Sequence, residues 1–321
     1  MPDSSPWVDI STPNSDLNVR QVAGNTSVPC YWGRDIQGSC LFIMELTGDH
    51  TTQFRKNVTN IHGIEVDLRD SCTGTQRLIL ALEKQVDRDL FEGLCRTLVA
   101  SLAHASDSSS SLAVALAHIR RWKTFFSGRV NHLSSEAVCG LVAELFFLLE
   151  LLDRFASATD AMAAWLGPEK SHQDFIFGNS AVEIKSLSGT ERSSVQISSE
   201  DQLESLNDAL FLRIYRLSNL PDNPKAQSLN DIILEVQSKL VDGDVIEEFD
   251  RKLVAQGYAP LPEYDEPRFV VSSVRTFRVD EDFPRLIRSA LPEGIAKVSY
   301  EIRLEAIASR LCDNEIVFGE G

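Results

Sequence analysis

A mixed α/β protein of the α+β kind is what this sequence predicts, from three observations. Short apolar runs separated by Gly, Asn, Asp and Thr fill residues 30–82, the spacing of strands and turns. From about Gln85 the apolar positions recur at three and four, as in amphipathic helices, and beyond Gln173 strand-like and helix-like segments alternate.

Taken in order, "SCLFIMEL" and "HGIEVDLRD" are the clearest early strands, and residues 1–84 form an expected β-rich lobe. "DRDLFEGLCRTLVASLAHA" and "LAVALAHIRRWKTFF" read as two helices broken at "SDSSSS". The next helix starts at Ser134 or Ser135, where a hydroxyl caps free backbone N–H groups, and ends near Phe155. It is apolar almost all round, which makes Glu144 conspicuous among Leu141, Leu148 and Leu151. A short helix then runs to "WLGP", where Gly167 and Pro168 stop it. A hairpin over Gln173 to Ser186 follows, then "SSVQIS" as a third strand, "SSEDQLESL" as a helix start and "ALFLRIYRL" as a fourth strand. "LNDIILEVQSKLV" and "VIEEFDRKLVAQGY" read as helices, and "RFVVSSVRTFRV", "FPRLIRSAL" and "AKVSYEIRLEAI" as strand, helix, strand. The expected organisation is a lobe over 1–84, a core with its preceding helices over 85–240, and an α/β extension over 241–321.

Composition narrows the function. With 321 residues, 43% hydrophobic and 24% charged, the chain can bury a real core. The most apolar run, Leu141 to Leu152, is too short and too charged to span a bilayer, and the first residues carry no secretion signal, so a cytoplasmic address without membrane partners is expected. Six scattered cysteines and six histidines show no metal-ligand spacing, which argues against structural zinc. A net charge of −16 weighs against a protein that coats nucleic acid but leaves a local nucleic-acid site open.

The hairpin "QDFIFGNSAVEIKS" holds the chemistry. Alternate residues of a strand share a face, so Glu183 and Lys185 project together while Val182 and Ile184 point into the opposite layer. The turn at Gly178-Asn179-Ser180 carries Asp174 back beside Glu183. Burying such charges singly costs several kcal/mol, on the order expected for unpaired ions, and a divalent cation would neutralise the carboxylates. Mg2+ fits best, with Mn2+ as a substitute, because it accepts a few carboxylate oxygens, keeps waters and binds phosphate oxygen. A nearby Lys can orient the attacking water, so hydrolysis of a phosphodiester is the expected reaction.

A buried Glu in "GLVAEL", then "DF" on one strand and "VEIKS" on the next, resembles the PD-(D/E)XK nuclease superfamily; "HQDFIF", "AVEIKS" and "VQISSEDQL" in this order are similar to the prokaryotic PD-(D/E)XK motif proteins. The resemblance implies a restriction-endonuclease-like mixed sheet flanked by helices and a metal-dependent DNA endonuclease of prokaryotic anti-phage defence. It implies double-stranded DNA as substrate, with a homodimer able to cut both strands and partner subunits of a restriction system as further partners. It makes Asp174 the central metal ligand, Glu183 the second and Lys185 the catalytic lysine. Glu144 would complete the metal site directly or through water, and the Ile184 carbonyl would be another ligand. Gln202 falls where some relatives place a polar residue near the site, and Gln173 stands where the name-giving Pro would be.

Other readings compete. Asp250-Arg251-Lys252 also fits the [DE]xK pattern but lies in a helical segment without an upstream Asp. Ser199-x-x-Gln202 has capping-box spacing, which accounts for Gln202 without a site, and His172 is a loop residue able to touch substrate. Arg120, Arg121, Lys123 and Arg129, beside Trp122 and Phe126, could meet phosphates or form the solvated edge of a helix. The rival function is a non-catalytic nuclease-fold scaffold or recognition subunit of a defence complex.

Overall fold

A computed structural model describes residues 5–23, 26–83, 87–103, 105–127, 132–169, 171–189, 193–295 and 297–319. The chain divides into two units, Met1–Val130 with Ala259–Pro262, and Asn131–Tyr258 with Glu263–Gly321.

The first unit is an antiparallel sheet with helices. Its strands are β1 (Asn18–Gln21), β2 (Cys30–Arg34), β3 (Cys40–Thr47), β4 (Ile64–Asp70) and β5 (Thr75–Leu82), in the order β1-β2-β3-β5-β4. The central β3, "CLFIMELT", buries both faces, so it reads as a continuous apolar run. Helices α1 (Thr51–Asn57), α2 (Arg88–Leu102) and α3 (Ser108–Ser127) belong here, and α3 packs on α2 and β3. Trp7 anchors the core: its indole donates to the Leu41 carbonyl at 2.9 Å and its ring meets Trp32 edge-on and stacks on Phe91. Neither β1 nor α1 was expected. β1 is short and mostly exposed, and α1 buries no residue fully, so neither carries a periodic apolar signal.

The second unit holds α4 (Ser135–Arg154), α5 (Ala158–Ala164), β6 (Phe175–Phe177), β7 (Ser180–Ser188), β8 (Ser194–Ile197), β9 (Ala209–Asn219), α6 (Leu229–Lys239), α7 (Gly243–Ala255), β10 (Phe269–Arg278), β11 (Tyr300–Arg303) and β12 (Leu311–Cys312). Five strands make one mixed sheet in the order β12-β10-β9-β7-β6, with β7 and β9 parallel and the other pairs antiparallel. α4 packs on β7 and α6 and is capped as its sequence demands, the Ser134 hydroxyl accepting from Ala137 N–H and the chain turning extended at Phe155. α4 is fixed to the sheet by a buried network: Glu150 accepts from Arg213 at 2.6 Å and from the Tyr215 hydroxyl at 2.6 Å.

The expected third strand forms as β8, which pairs with β11 in a separate two-stranded ribbon, while β9 lies beside β7. Two expectations in this unit need correction. "SSEDQLESL" forms turns instead of a helix start, because Ser199 and Ser205 accept from the N–H groups of Asp201 and Asn207 two residues on, which competes with helical bonding. "FPRLIRSAL" yields only a 3-10 turn at Arg288–Ala290, and Leu286 within it is exposed.

Candidate active site

The β6–β7 hairpin forms as its residues predict, with Phe175 opposite Val182 and Phe177 opposite Ser180 around Gly178, whose φ of 53° suits glycine. Asp174, immediately before β6, is drawn onto β7: its Oδ2 accepts from the Ile184 N–H at 2.7 Å. Glu183 and Lys185 share a strand face, and their ion pair measures 2.8 Å. Glu183 is 1% exposed and its Oε2 has no hydrogen-bond partner.

Lys185 has a second acceptor. Its Nζ lies 3.1 Å from Gln202 Oε1, which also accepts from Ser198 N–H at 2.8 Å. The capping-box account of Gln202 fails with the helix it required, and the residue faces the site. Gln173 explains how: it is 4% exposed, and its Nε2 points to the carbonyls of Asp201 at 3.1 Å, Gln202 at 3.3 Å and Glu204 at 2.9 Å. The amide standing where proline was expected thus holds the turn that presents Gln202.

Glu144 reaches the same cluster from α4. Its Oε2 accepts from Trp165 Nε1 at 2.8 Å and from Gln256 Nε2 at 3.3 Å. A Cβ on Gly167 would stand 2.7 Å from Glu144 Oε2 and 3.2 Å from Asp174 Oδ1, so both carboxylates border one glycine. Sequence reasoning gave no role in the site to Trp165, Gly167, Gln173 or Gln256. The "WLG" run beside the motif was a usable signal but reads equally as a helix stop; nothing marked Gln256.

The remaining candidates stand elsewhere. His172 is exposed and turned toward Asp201, with Nδ1 3.9 Å from Oδ2. Arg120, Arg121 and Lys123 lie on α3 of the first unit, while Trp122 and Phe126 are core residues there. Arg129 lies outside the described residues. Lys252 of the discarded Asp250-Arg251-Lys252 match is 4% exposed and donates to the Trp165 carbonyl and, at 2.9 Å, to Glu169.

Electrostatically the cluster is overloaded with negative charge. Burial, then the neighbouring Asp174, pushes Glu183 up to about 8; burial and Asp174 also raise Glu144 well above the carboxylate range, and burial raises Asp174. Lys185 is held above its ordinary value by its carboxylate neighbours against the opposing effect of burial, so it stays an ammonium. Three ionised carboxylates against one ammonium leave two formal negative charges, which one divalent cation would balance.

Among the described residues no three His, Cys, Asp or Glu side chains form a ready metal cage. The donor set nevertheless fits Mg2+, which binds through one or two carboxylates and keeps several waters. The unpartnered Glu183 Oε2, and the Asp174 oxygen not engaged by the Ile184 N–H, are the oxygens such an ion would take.

No helix of the described residues is long and apolar enough to cross a membrane. No curated protein and no solved structure matches the chain. A family model described as "Putative PD-(D/E)XK family member, (DUF4420)" matches residues 4–305, across both units, and the chain belongs to that family.

Proposed function

We propose that the protein is a metal-dependent endonuclease that hydrolyses phosphodiester bonds of double-stranded DNA, in a restriction-like role in prokaryotic anti-phage defence. The observation that carries this reading is a buried carboxylate with an unpartnered oxygen, Glu183, beside Asp174 and ion-paired to Lys185, in a chain of the PD-(D/E)XK family.

Asp174 and Glu183 are the residues we assign to Mg2+, with Mn2+ as a substitute, joined by the Ile184 carbonyl and by Glu144 directly or through water. When bound, the cation neutralises the carboxylates, polarises the phosphoryl group and stabilises the leaving oxygen. Lys185 does the remaining work in this chain. An ammonium has three donors, and two are directed at Glu183 and Gln202, which leaves one N–H to orient the attacking water and favour its deprotonated form. The water oxygen forms a bond to phosphorus as the bond to the leaving oxygen breaks. Gln202 keeps the ammonium on the face where that exchange takes place.

The test is cleavage of unmodified and methylated plasmid by the purified protein with Mg2+ or Mn2+, beside Asp174→Ala and Lys185→Ala. Metal-dependent cutting that both substitutions lower by about a thousandfold or more supports the reading, a loss of the size seen when a group essential to transition-state stabilisation is removed. An uncut plasmid, with no cation-induced rise in thermal stability, moves the protein to the scaffold role.

A further inference from the structure

We propose that Trp165-Leu166-Gly167, with Gln256, is the positioning brace of the carboxylate cluster, fixing Glu144 and Asp174 relative to each other. This rests on the site reading above and assigns residues that the superfamily motif does not contain.

Four hydrogen bonds converge on this short segment, all within the second unit. The Trp165 indole donates to Glu144 Oε2 at 2.8 Å, and Gln256 approaches the same oxygen at 3.3 Å, so both donors act on the carboxylate oxygen that borders Gly167. The N–H groups of Leu166 and Gly167 both donate to the Asp174 carbonyl, at 2.7 and 3.0 Å, while Trp165 bridges Phe175 across the start of β6. Lys252 holds the Trp165 carbonyl from α7. Gly167 supplies the space: the Glu144 carboxylate lies where a Cβ would press on it.

The indole is a strong choice for this task. It is fully buried, and its single N–H needs an acceptor; the acceptor it has is the helix carboxylate. Removing outer hydrogen-bond partners of metal-binding carboxylates lowers metal affinity or activity by about 10- to 100-fold.

Gly167→Ala is the sharpest probe, because the added methyl meets the far end of a flexible side chain, so Glu144 swings away while the fold remains. Gln256→Ala removes one donor at a partly exposed position, and Trp165→Phe removes the indole N–H while keeping an aromatic ring. The measurement is the Mn2+ concentration that gives half of the maximal thermal stabilisation, alongside metal-free melting and kcat against KM for plasmid. The brace predicts metal-free melting close to wild type for Gly167→Ala and Gln256→Ala. It also predicts Mn2+ midpoints shifted upward by about 10- to 100-fold and kcat lowered more than KM is raised. Addition of Mn2+ should also change the emission contributed by Trp165, read as wild type minus Trp165→Phe.

Unchanged midpoints in Gly167→Ala and Gln256→Ala, with a wild type that binds Mn2+ and cuts, overturn the brace alone. A fall in metal-free melting in these variants with the midpoints unmoved shows packing only and also overturns it. A wild type that neither binds Mn2+ nor cuts overturns the site reading itself, and the brace with it.

Discussion

A carboxyl group that is 1% exposed and keeps one oxygen without a partner, as Glu183 does, holds its proton long after an exposed glutamate has lost it. Its folded pKa of about 8 lies above the ordinary value of 4.5, so between these values the native state binds a proton that the unfolded chain has released. Stability from this group is therefore complete below about pH 4.5 and is lost as pH rises through about 8. The loss is on the order of a few kcal/mol when no cation is present. A divalent cation competes with that proton, so its stabilising effect grows over the same window. Melting curves from pH 5 to pH 9 in EDTA and in Mg2+ should diverge as pH rises. Glu183→Gln, which removes one of the buried ionisations, should lower the slope of the EDTA curve and narrow the divergence, with Glu144 and Asp174 supplying what remains. Equal curves for wild type and Glu183→Gln would show that Glu183 does not set the slope. Sequence pattern singled out Asp174, Glu183, Lys185 and Glu144 because each is an ionisable group in an apolar context. The sequence named Gln173 and Gln202 but left their contacts open, because an amide has no charge to betray its burial, and its worth depends on which groups the fold brings to it.

Helix pairs were legible where periodicity and caps agreed, and α2 with α3 shows what such a pair can hide. His118 of α3 is buried against α2, with Nε2 3.1 Å from the Thr97 hydroxyl oxygen and 3.2 Å from the Leu94 carbonyl. Burial, with help from Arg121, pushes its pKa down to about 3 from 6.5. A depressed folded pKa means that the unfolded chain binds the proton first, so stability present above about pH 6.5 is lost as pH falls toward 3. Hydrogen exchange should show the α2 and α3 amides losing protection by on the order of a few kcal/mol across that window. His118→Gln should remove the part of the slope due to the ring, and an unaltered slope would assign it to other groups. At this scale α4 was readable to its caps, since Ser134 and the apolar run mark both ends. The hairpin was readable because Gly178-Asn179-Ser180 demands a turn between β-branched and aromatic residues. The ribbon of β8 and β11 was not readable as such, because its strands are separated by about a hundred residues and a local pattern does not name a distant partner. The brace at Trp165-Leu166-Gly167 was hidden for a related reason: its meaning lies in contacts with α4, β6 and α7, none of which follows from its own three residues.

For the molecule as a whole, a net charge of −16 sets the terms on which a polyanion can be bound. Exposed charges act over about 10 Å at 0.1 M salt, so duplex DNA approaching from solution meets repulsion before any short-range contact forms. On the proposed reading the carboxylate cluster, once ionised, adds to that repulsion where a phosphate would dock, and a divalent cation would cancel the local charge there. Binding to duplex should therefore depend on the cation itself, apart from cleavage. With Lys185→Ala, which should bind without cutting, affinity measured by fluorescence anisotropy should be at least about tenfold higher in Mg2+ than in EDTA at matched ionic strength, one decade corresponding to about 1.4 kcal/mol. Above about pH 8, where Glu183 is ionised without a cation, the Glu183→Gln, Asp174→Asn double variant should bind better in EDTA than its parent, because two repelling charges are gone, and should gain little from Mg2+. Raising salt separates the contributions. Screening weakens global repulsion and phosphate contacts together, whereas the cation effect at a partly buried site is screened far less. Should wild-type protein bind duplex equally tightly in EDTA and Mg2+, the dominant contact lies away from the cluster, and Arg120 and Lys123, the exposed bases of α3, become the first positions to neutralise.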